Sequence, residues 1–168
     1  LKDERKMRVF PMAYAQAPQA WAGIGIGFET LPEKAGRDFA VDVVNRLRPG
    51  AVLTGTSVND QEWEKVFIAA AREGRIPSMA ILDFWSNYRA RFSDRRDQLV
   101  YLPDRIAVMD DRAREEMTAA GFPAERFIVT GQPAFDGVAE CRSKFDGAVR
   151  RRVRTDLAVG DGERLVVV

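Results

Sequence analysis

Four short apolar segments of the chain each end in polar or glycine-containing residues. With the residues that follow them, they span 52–57, 80–85, 106–111 and 127–133. Three of these segments lead directly into residues with the apolar spacing of a helix, which is typical of βα units in a parallel sheet. Ligands of such sheets bind outside the carboxyl ends of the strands. The sequence therefore predicts an α/β fold with an open parallel sheet, flanking helices and a ligand site at that edge.

The composition limits the class of protein. A chain of 168 residues, 46% of them apolar, is long enough for one domain with a core, or for one domain and part of another. The 26 basic and 25 acidic residues give a net charge of +1, which argues against nucleic acid as the main partner. Since no apolar run approaches the roughly 18 residues of a membrane helix, we expect no membrane span.

Histidine is absent, and Cys141 is the single cysteine. This excludes Ser-His-Asp and Cys-His catalytic groups, His-ligated metals, Cys-rich zinc sites and an internal disulfide within the chain. The paired carboxylates of Asp110 and Asp111 could bind a metal, but a helix cap explains them better, so we expect no metal. A general base would have to be Asp, Glu, Lys, Tyr or a group of the ligand. With no secretory signal visible, the single thiol favours a cytoplasmic location. We interpret Cys141 as a packed or half-buried residue.

Apolar spacing predicts helices at 35–48, 60–73, 112–120 and 134–157, and an irregular basic segment at 87–103. Asp60 is the expected N-cap of the second helix, and Asp110 or Asp111 that of the third. The arginines at 150–154 are interpreted as a solvated or interdomain face, with Val149, Val153 and Leu157 turned inward. Residues 1–158 would form one Rossmann-like domain, and residues 159–168 the start of a second, whose first strand is 164–168.

Small polar residues follow the first of the four strands. Gly55, Thr56 and Ser57 precede a helix N-terminus, where hydroxyls and backbone N–H groups could hold a phosphate, a carboxylate or a sugar hydroxyl. An ordinary capped βα turn explains the same residues equally well. The Gly-Lys-Ser/Thr of a P-loop is missing, and the glycines at 23, 25 and 27 lack the spacing of a dinucleotide-binding fingerprint.

The segment 82–92 is the most unusual in the chain. Asp83 lies at the carboxyl end of a strand, Trp85 could stack on a sugar face or a base, and Asn87 and Arg91 could bind hydroxyls or phosphate. The alternative is that Asp83 caps a turn, Trp85 and Phe92 pack in the core, and the arginines are solvated. We favour ligand binding, because long loops on rigid scaffolds tend to carry function.

The order of these motifs is GTS…LDFWxNYxxRF…YLPDRIAVMD…AREEMTAAGFPxERFIVTGQPxFD. It resembles the N-terminal half of two-domain GT-B-type sugar-nucleotide proteins, the group that contains UDP-N-acetylglucosamine 2-epimerases and CDP-glycerol glycerophosphotransferase-like enzymes. The resemblance covers residues 40–168 and is strongest at 102–136. It implies one half of a GT-B-like fold, with the nucleotide-sugar held by a second domain and no cofactor in this chain.

In such proteins the N-terminal domain usually contacts the acceptor and sometimes supplies the base. By resemblance, the loops at 55–60, 83–91 and 131–136 would face the cleft, and Asp83 or Asp60 would be the base. The expected contacts with a sugar or phosphorylated small-molecule acceptor come from Gly55, Thr56, Ser57, Trp85, Asn87, Arg91, Gln132 and Asp136.

The expected function is therefore the acceptor-side half of a nucleotide-sugar-dependent glycosyltransferase or epimerase, inactive alone. Two alternatives stay open: a non-catalytic, small-ligand-binding Rossmann-like module, and a partner-docking domain that uses the arginines at 150–154. A homodimer is expected if the last strand has to find a partner edge.

Overall fold

The computed structural model describes residues 7–34, 36–160 and 162–166. The described chain divides into two compact units, Leu1–Val129 and Thr130–Val168. Ala35, at the start of one predicted helix, and residues 167 and 168, at the end of the predicted last strand, lie outside the described residues. The described part of that last segment, 164–166, is not in a strand.

The first unit contains two parallel sheets. Strands β1 (Met12–Ala13) and β2 (Glu29–Thr30) pair with each other. A separate four-stranded sheet has the order β3-β4-β5-β6, with strands Val52–Thr54, Ser78–Ile81, Arg105–Val108 and Phe127–Val129. All of its strand pairs are parallel, which confirms the predicted Rossmann-like α/β sheet.

Five helices in the described part of the first unit connect these strands. They are α1 (Ala17–Gly23), α2 (Arg37–Leu47), α3 (Trp63–Glu73), α4 (Tyr88–Phe92) and α5 (Asp111–Ala119). A single 3₁₀ turn, Ala124–Arg126, precedes β6. The predicted helices at 35–48 and 112–120 are confirmed to within two residues, whereas the segment at 87–103, predicted to be irregular, contains α4.

The main core lies between one face of the larger sheet and helices α3, α4 and α5. The three crossovers from β3 to β6 all move in the same direction along the sheet, and right-handed crossovers then place their helices on one face. Strand residues on that face pack against helix residues, and the cluster includes Ala80, Leu82, Ile106, Val108, Ile68, Phe92, Ala113 and Met117. A smaller cluster joins Ala40 and Val44 of α2 to Ala70 of α3. The packed face fixes the strands, and so fixes the positions of the loops at their carboxyl ends.

Among its described residues, the second unit contains two helices instead of the single one predicted at 134–157. After a 3₁₀ turn at Pro133–Phe135, α6 spans Asp136–Lys144 and α7 spans Gly147–Asp156. The break occurs because Asp146 Oδ1 accepts hydrogen bonds from the backbone N–H groups of Ala148 and Val149, at 2.8 and 2.9 Å. Such a cap starts a new helix.

Side chains of the second unit are more exposed than the sequence predicted. The arginines at 150–152 are exposed, as expected, but Val149, Val153 and Leu157 are 40%, 39% and 55% exposed and do not turn inward. Cys141 on α6 is also exposed, which corrects its interpretation as a packed or half-buried residue. None of the described side chains of these two short helices is buried, so the described residues offer no core to these side chains within the unit. Among the described residues, no helix is long and apolar enough to cross a bilayer.

Candidate functional site

The segments that follow β1, β3, β4 and β5 place polar side chains at the carboxyl edge of the two sheets. In a parallel α/β protein this edge is where ligands bind. Two groups of interacting side chains occupy it, one centred on Arg91 and the other on Glu64. Both lie within the first unit.

Arg91 joins the loop after β3 to the loop after β4. Its side chain on α4 is only 7% exposed, and its Nη1 donates hydrogen bonds to Asp83 Oδ1 at 2.7 Å and to Thr56 Oγ1 at 2.9 Å. The same nitrogen contacts the carbonyl of Thr56 at 3.2 Å, and Nε donates to the carbonyl of Ser86 at 3.1 Å. A buried charge requires such partners. Arg91 is therefore neither solvated nor a surface ligand group, but holds both loops in place.

Asp83 and Phe84 form the outward surface of this group. The Asp83 side chain is 62% exposed although one of its oxygens accepts from Arg91, and Phe84 is 57% exposed. Trp85, which the sequence predicted to stack on a ligand, packs partly against the core and donates from Nε1 to Asp110 Oδ2 at 2.8 Å. Phe84 is thus the aromatic side chain of this loop with the larger exposed surface. Asn87 is exposed and has a left-handed backbone at the start of α4.

The second group, which we call the Glu64 cluster, consists of Tyr14, Ser57, Asn59 and Glu64. The Tyr14 hydroxyl donates to Glu64 Oε1 at 2.6 Å, and Ser57 Oγ donates to Glu64 Oε2 at 2.8 Å. Asn59 Nδ2 donates to the Tyr14 hydroxyl at 3.1 Å. Burial is the largest cause that raises the pKa of Tyr14, and its hydrogen bond to Glu64 adds to this.

Sequence reasoning found Ser57 but missed Tyr14 and Glu64. Glu64 lies in the first turn of α3, where an acidic residue is explained by the helix dipole alone. Tyr14 follows β1 and is 43 residues from Ser57 in the chain. No local pattern connects two residues at such a separation.

The start of α3 differs from the prediction that Asp60 caps it. The helix begins at Trp63, and Glu62 takes the N-cap position with a left-handed backbone. Asn59 Oδ1 accepts from the N–H groups of Gln61 and Glu62, at 3.1 and 3.3 Å, and this turn competes with a helical start at 60. Trp63 is 1% exposed, and its burial sets the position of the first helical turn. Asp60 is exposed in the turn before α3, as is Gly55 in the preceding loop.

Asp110 caps α5, which confirms the sequence prediction. Its Oδ1 accepts from the Ala113 N–H at 2.8 Å, and this hydrogen bond, followed by that from Trp85, lowers the pKa of Asp110. Nearby, the Tyr88 hydroxyl donates to Glu116 Oε2 at 2.6 Å. Desolvation, with the contribution of Glu116, raises the pKa of Tyr88 to about 12. These residues fix the base of the Phe84–Trp85 loop against α5.

Gln132 and Asp136 belong to the second unit. The Gln132 side chain accepts from the Ala134 N–H at 3.5 Å before the 3₁₀ turn, and Asp136 is the exposed first residue of α6. That they share a binding cleft with the loops of the first unit stays a prediction. Among the described residues, no group of three or more acidic or cysteine side chains is arranged to hold a metal ion.

Comparison with protein-family models, with curated proteins and with solved structures gave no significant match. The resemblance to GT-B-type proteins therefore stays an expectation from the sequence.

We predict that Arg91→Ala lowers the free energy of unfolding by about 3 kcal/mol, the lower end for a broken buried ion pair, because Asp83 remains in solvent. Arg91→Lys should cost about 1–2 kcal/mol, because an ammonium keeps the charge but cannot reach all the partners of the planar guanidinium. Urea denaturation measures both. The control is Arg95→Ala, an exposed arginine. Equal stabilities of Arg91→Ala and Arg95→Ala would contradict the anchoring role.

We predict an acid-sensitive contribution to stability from Glu116. The hydrogen bond from Tyr88 is the largest cause that lowers the pKa of Glu116 below its ordinary value of 4.5, and Arg112 adds to it. A lowered pKa in the folded state stabilises the protein above pH 4.5, and this contribution is lost as the pH falls through the lower folded-state pKa. In urea unfolding at several pH values, Glu116→Gln should therefore lose less stability on acidification than the wild type. Glu115→Gln, at an exposed neighbouring position, should lose as much stability on acidification as the wild type. If Glu116→Gln also lost as much as the wild type, Glu116 would not be the source of the acid-sensitive contribution.

Proposed function

We propose that the chain is the acceptor-side half of a nucleotide-sugar-dependent transferase or epimerase. The observation that carries the proposal is the outward surface of the Arg91 group, where two consecutive residues at the carboxyl edge, Asp83 and Phe84, have side chains that are 62% and 57% exposed. A carboxylate accepts hydrogen bonds from sugar hydroxyls, and an aromatic ring packs against the apolar face of a sugar. The combination suits a sugar acceptor.

The charges at the edge favour a sugar over a phosphorylated acceptor. Arg91, the basic residue predicted to bind phosphate, is buried and engaged by Asp83, Thr56 and Ser86. The charge of Asp83 is balanced by Arg91, and Glu64 places a further carboxylate on the same edge, which repels the negative charge of a phosphate. A neutral polyhydroxyl ligand meets no such penalty.

Asp83 is our choice for the base, ahead of Asp60. The acceptor hydroxyl would give its proton to the Asp83 carboxylate while its oxygen attacks the sugar of the nucleotide-sugar, and the nucleoside diphosphate would leave with the bonding electrons. The nucleotide-sugar would be held by a second domain, as the sequence resemblance implies. In an epimerase the same carboxylate would take a proton from the sugar itself. Arg91 and Thr56 would keep Asp83 oriented.

The test is Asp83→Asn in the longest natural form of the protein, screened for turnover of nucleotide-sugars. General-base catalysis is worth about 10²–10⁴-fold, so turnover should fall by about that factor while sugar binding is retained. Asp60→Asn is the matched control and should keep the wild-type rate.

Near-wild-type turnover by Asp83→Asn would remove Asp83 as the base. Sugar binding without turnover of any nucleotide-sugar by the wild type would favour the non-catalytic binding module. Neither binding nor turnover would refute the proposal as a whole.

A further inference from the structure

The Glu64 cluster has a fixed direction for its protons. The hydroxyls of Tyr14 and Ser57 each have one proton, and both protons are donated to Glu64, at 2.6 and 2.8 Å. The two hydroxyl oxygens lie 3.2 Å apart with no proton left to place between them. Because the raised pKa of Tyr14 keeps its hydroxyl protonated at neutral pH, this arrangement persists. Toward a ligand the cluster therefore offers lone pairs.

The cluster also neutralises the anion-binding character of the α3 N-terminus. Glu64 places a carboxylate in the first turn of the helix, and Asn59 Oδ1 takes the N–H groups of Gln61 and Glu62. A free helix N-terminus attracts phosphate through such N–H groups and the helix dipole. The N–H groups that Asn59 takes belong to the turn before α3, and the carboxylate of Glu64 faces the dipole in the first turn of the helix. Of the ligands that the sequence left open for this loop, phosphate and carboxylate are therefore disfavoured.

The position of the cluster fits a ligand site. The cluster joins the carboxyl ends of strands from both sheets, because Tyr14 follows β1 and Ser57 follows β3. Ligands of open α/β sheets bind outside the carboxyl ends of the strands. Tyr14, Ser57 and Glu64 are half-buried and Asn59 is exposed, so the cluster lies at the surface of the first unit.

We infer that the Glu64 cluster is a subsite selective for a hydrogen-bond donor, namely the hydroxyl group of a sugar. Ser57 Oγ accepts a hydrogen bond from that hydroxyl, while the proton of Ser57 itself is donated to Glu64. The inference rests on the proposed sugar ligand and deepens it by naming the residues that read one of its hydroxyls. Ser57 contacts the ligand, and Glu64 and Tyr14 are positioning residues. No covalent step is involved.

The decisive variant is Glu64→Gln. A carboxylate accepts from both hydroxyls, whereas an amide offers one oxygen acceptor and one N–H donor side. In the variant one of the two hydroxyls accepts from the amide N–H and points its own proton toward the ligand. This weakens the binding of a sugar hydroxyl that donates, and it allows an oxyanion such as phosphate to bind. Tyr14→Phe is the second variant, because it leaves the pair of Ser57 and Glu64 intact. Glu115→Gln, an exposed glutamate on α5, is the matched control.

The experiment is an NMR titration of the ¹⁵N-labelled full chain with D-glucose, N-acetyl-D-glucosamine, D-ribose and inorganic phosphate. In the wild type and in Glu115→Gln, at least one sugar should shift the amides of Ser57 and Asn59, and phosphate should not. Loss of a hydrogen bond to a charged network weakens binding roughly tenfold, which is the expected effect of Glu64→Gln on the sugar Kd. Phosphate shifts should appear in this variant, while Tyr14→Phe should keep the preference for sugar.

Four results would overturn the inference. Sugar shifts confined to Asp83 and Phe84 would leave the proposed function in place but remove this subsite. Phosphate binding at Ser57 in the wild type, or unchanged sugar affinity and selectivity in a folded Glu64→Gln, would refute the proton arrangement. No sugar shift anywhere would refute the subsite together with the sugar-binding part of the proposed function.

Discussion

The buried guanidinium of Arg91 is the interaction on which the carboxyl edge of this sheet depends. A charge that is 93% removed from solvent is tolerated only where carboxylate and carbonyl oxygens surround it. Those oxygens belong to Asp83, Thr56 and Ser86, in two loops that the β-strands alone would not hold together. The position of α4, which carries Arg91, is in turn fixed by Phe92 in the core. Two adjacent residues thus connect the core to the site: Phe92 packs in the core, and Arg91 binds the two loops.

The loop after β3 is held from two sides. Thr56 is bound by Arg91, and its neighbour Ser57 by Glu64. Asn59 then closes the turn before α3 through two backbone N–H groups. A loop restrained at three of four successive positions needs little further ordering when a ligand arrives, which reduces the entropy cost of binding. This restraint suits recognition of small neutral groups, each of which contributes only a modest binding energy.

The sequence predicts the sheet well and the site only in part. Apolar strands such as 106–108 and the cap at Asp110 are encoded locally, so periodicity and residue type reveal them. Arg91 carried no local sign of burial, because an arginine on a short helix is ordinarily solvated. Tyr14 and Glu64 come together only through the packing of distant segments. The sequence did not predict the break at Asp146. The apolar spacing favours one continuous helix, whereas Asp146 favours a cap that starts a new helix, and the local sequence does not show which of the two is more stable.

Hydrogen exchange on Arg91→Lys, compared with the wild type, tests most directly whether one buried charge organises the edge. We expect faster exchange in both 55–59 and 83–87, since both loops lose the same anchor. Exchange in α5 should be unchanged, because its cap at Asp110 does not involve Arg91. Faster exchange in only one of the two loops, or in neither, would contradict the claim that Arg91 joins them into one site.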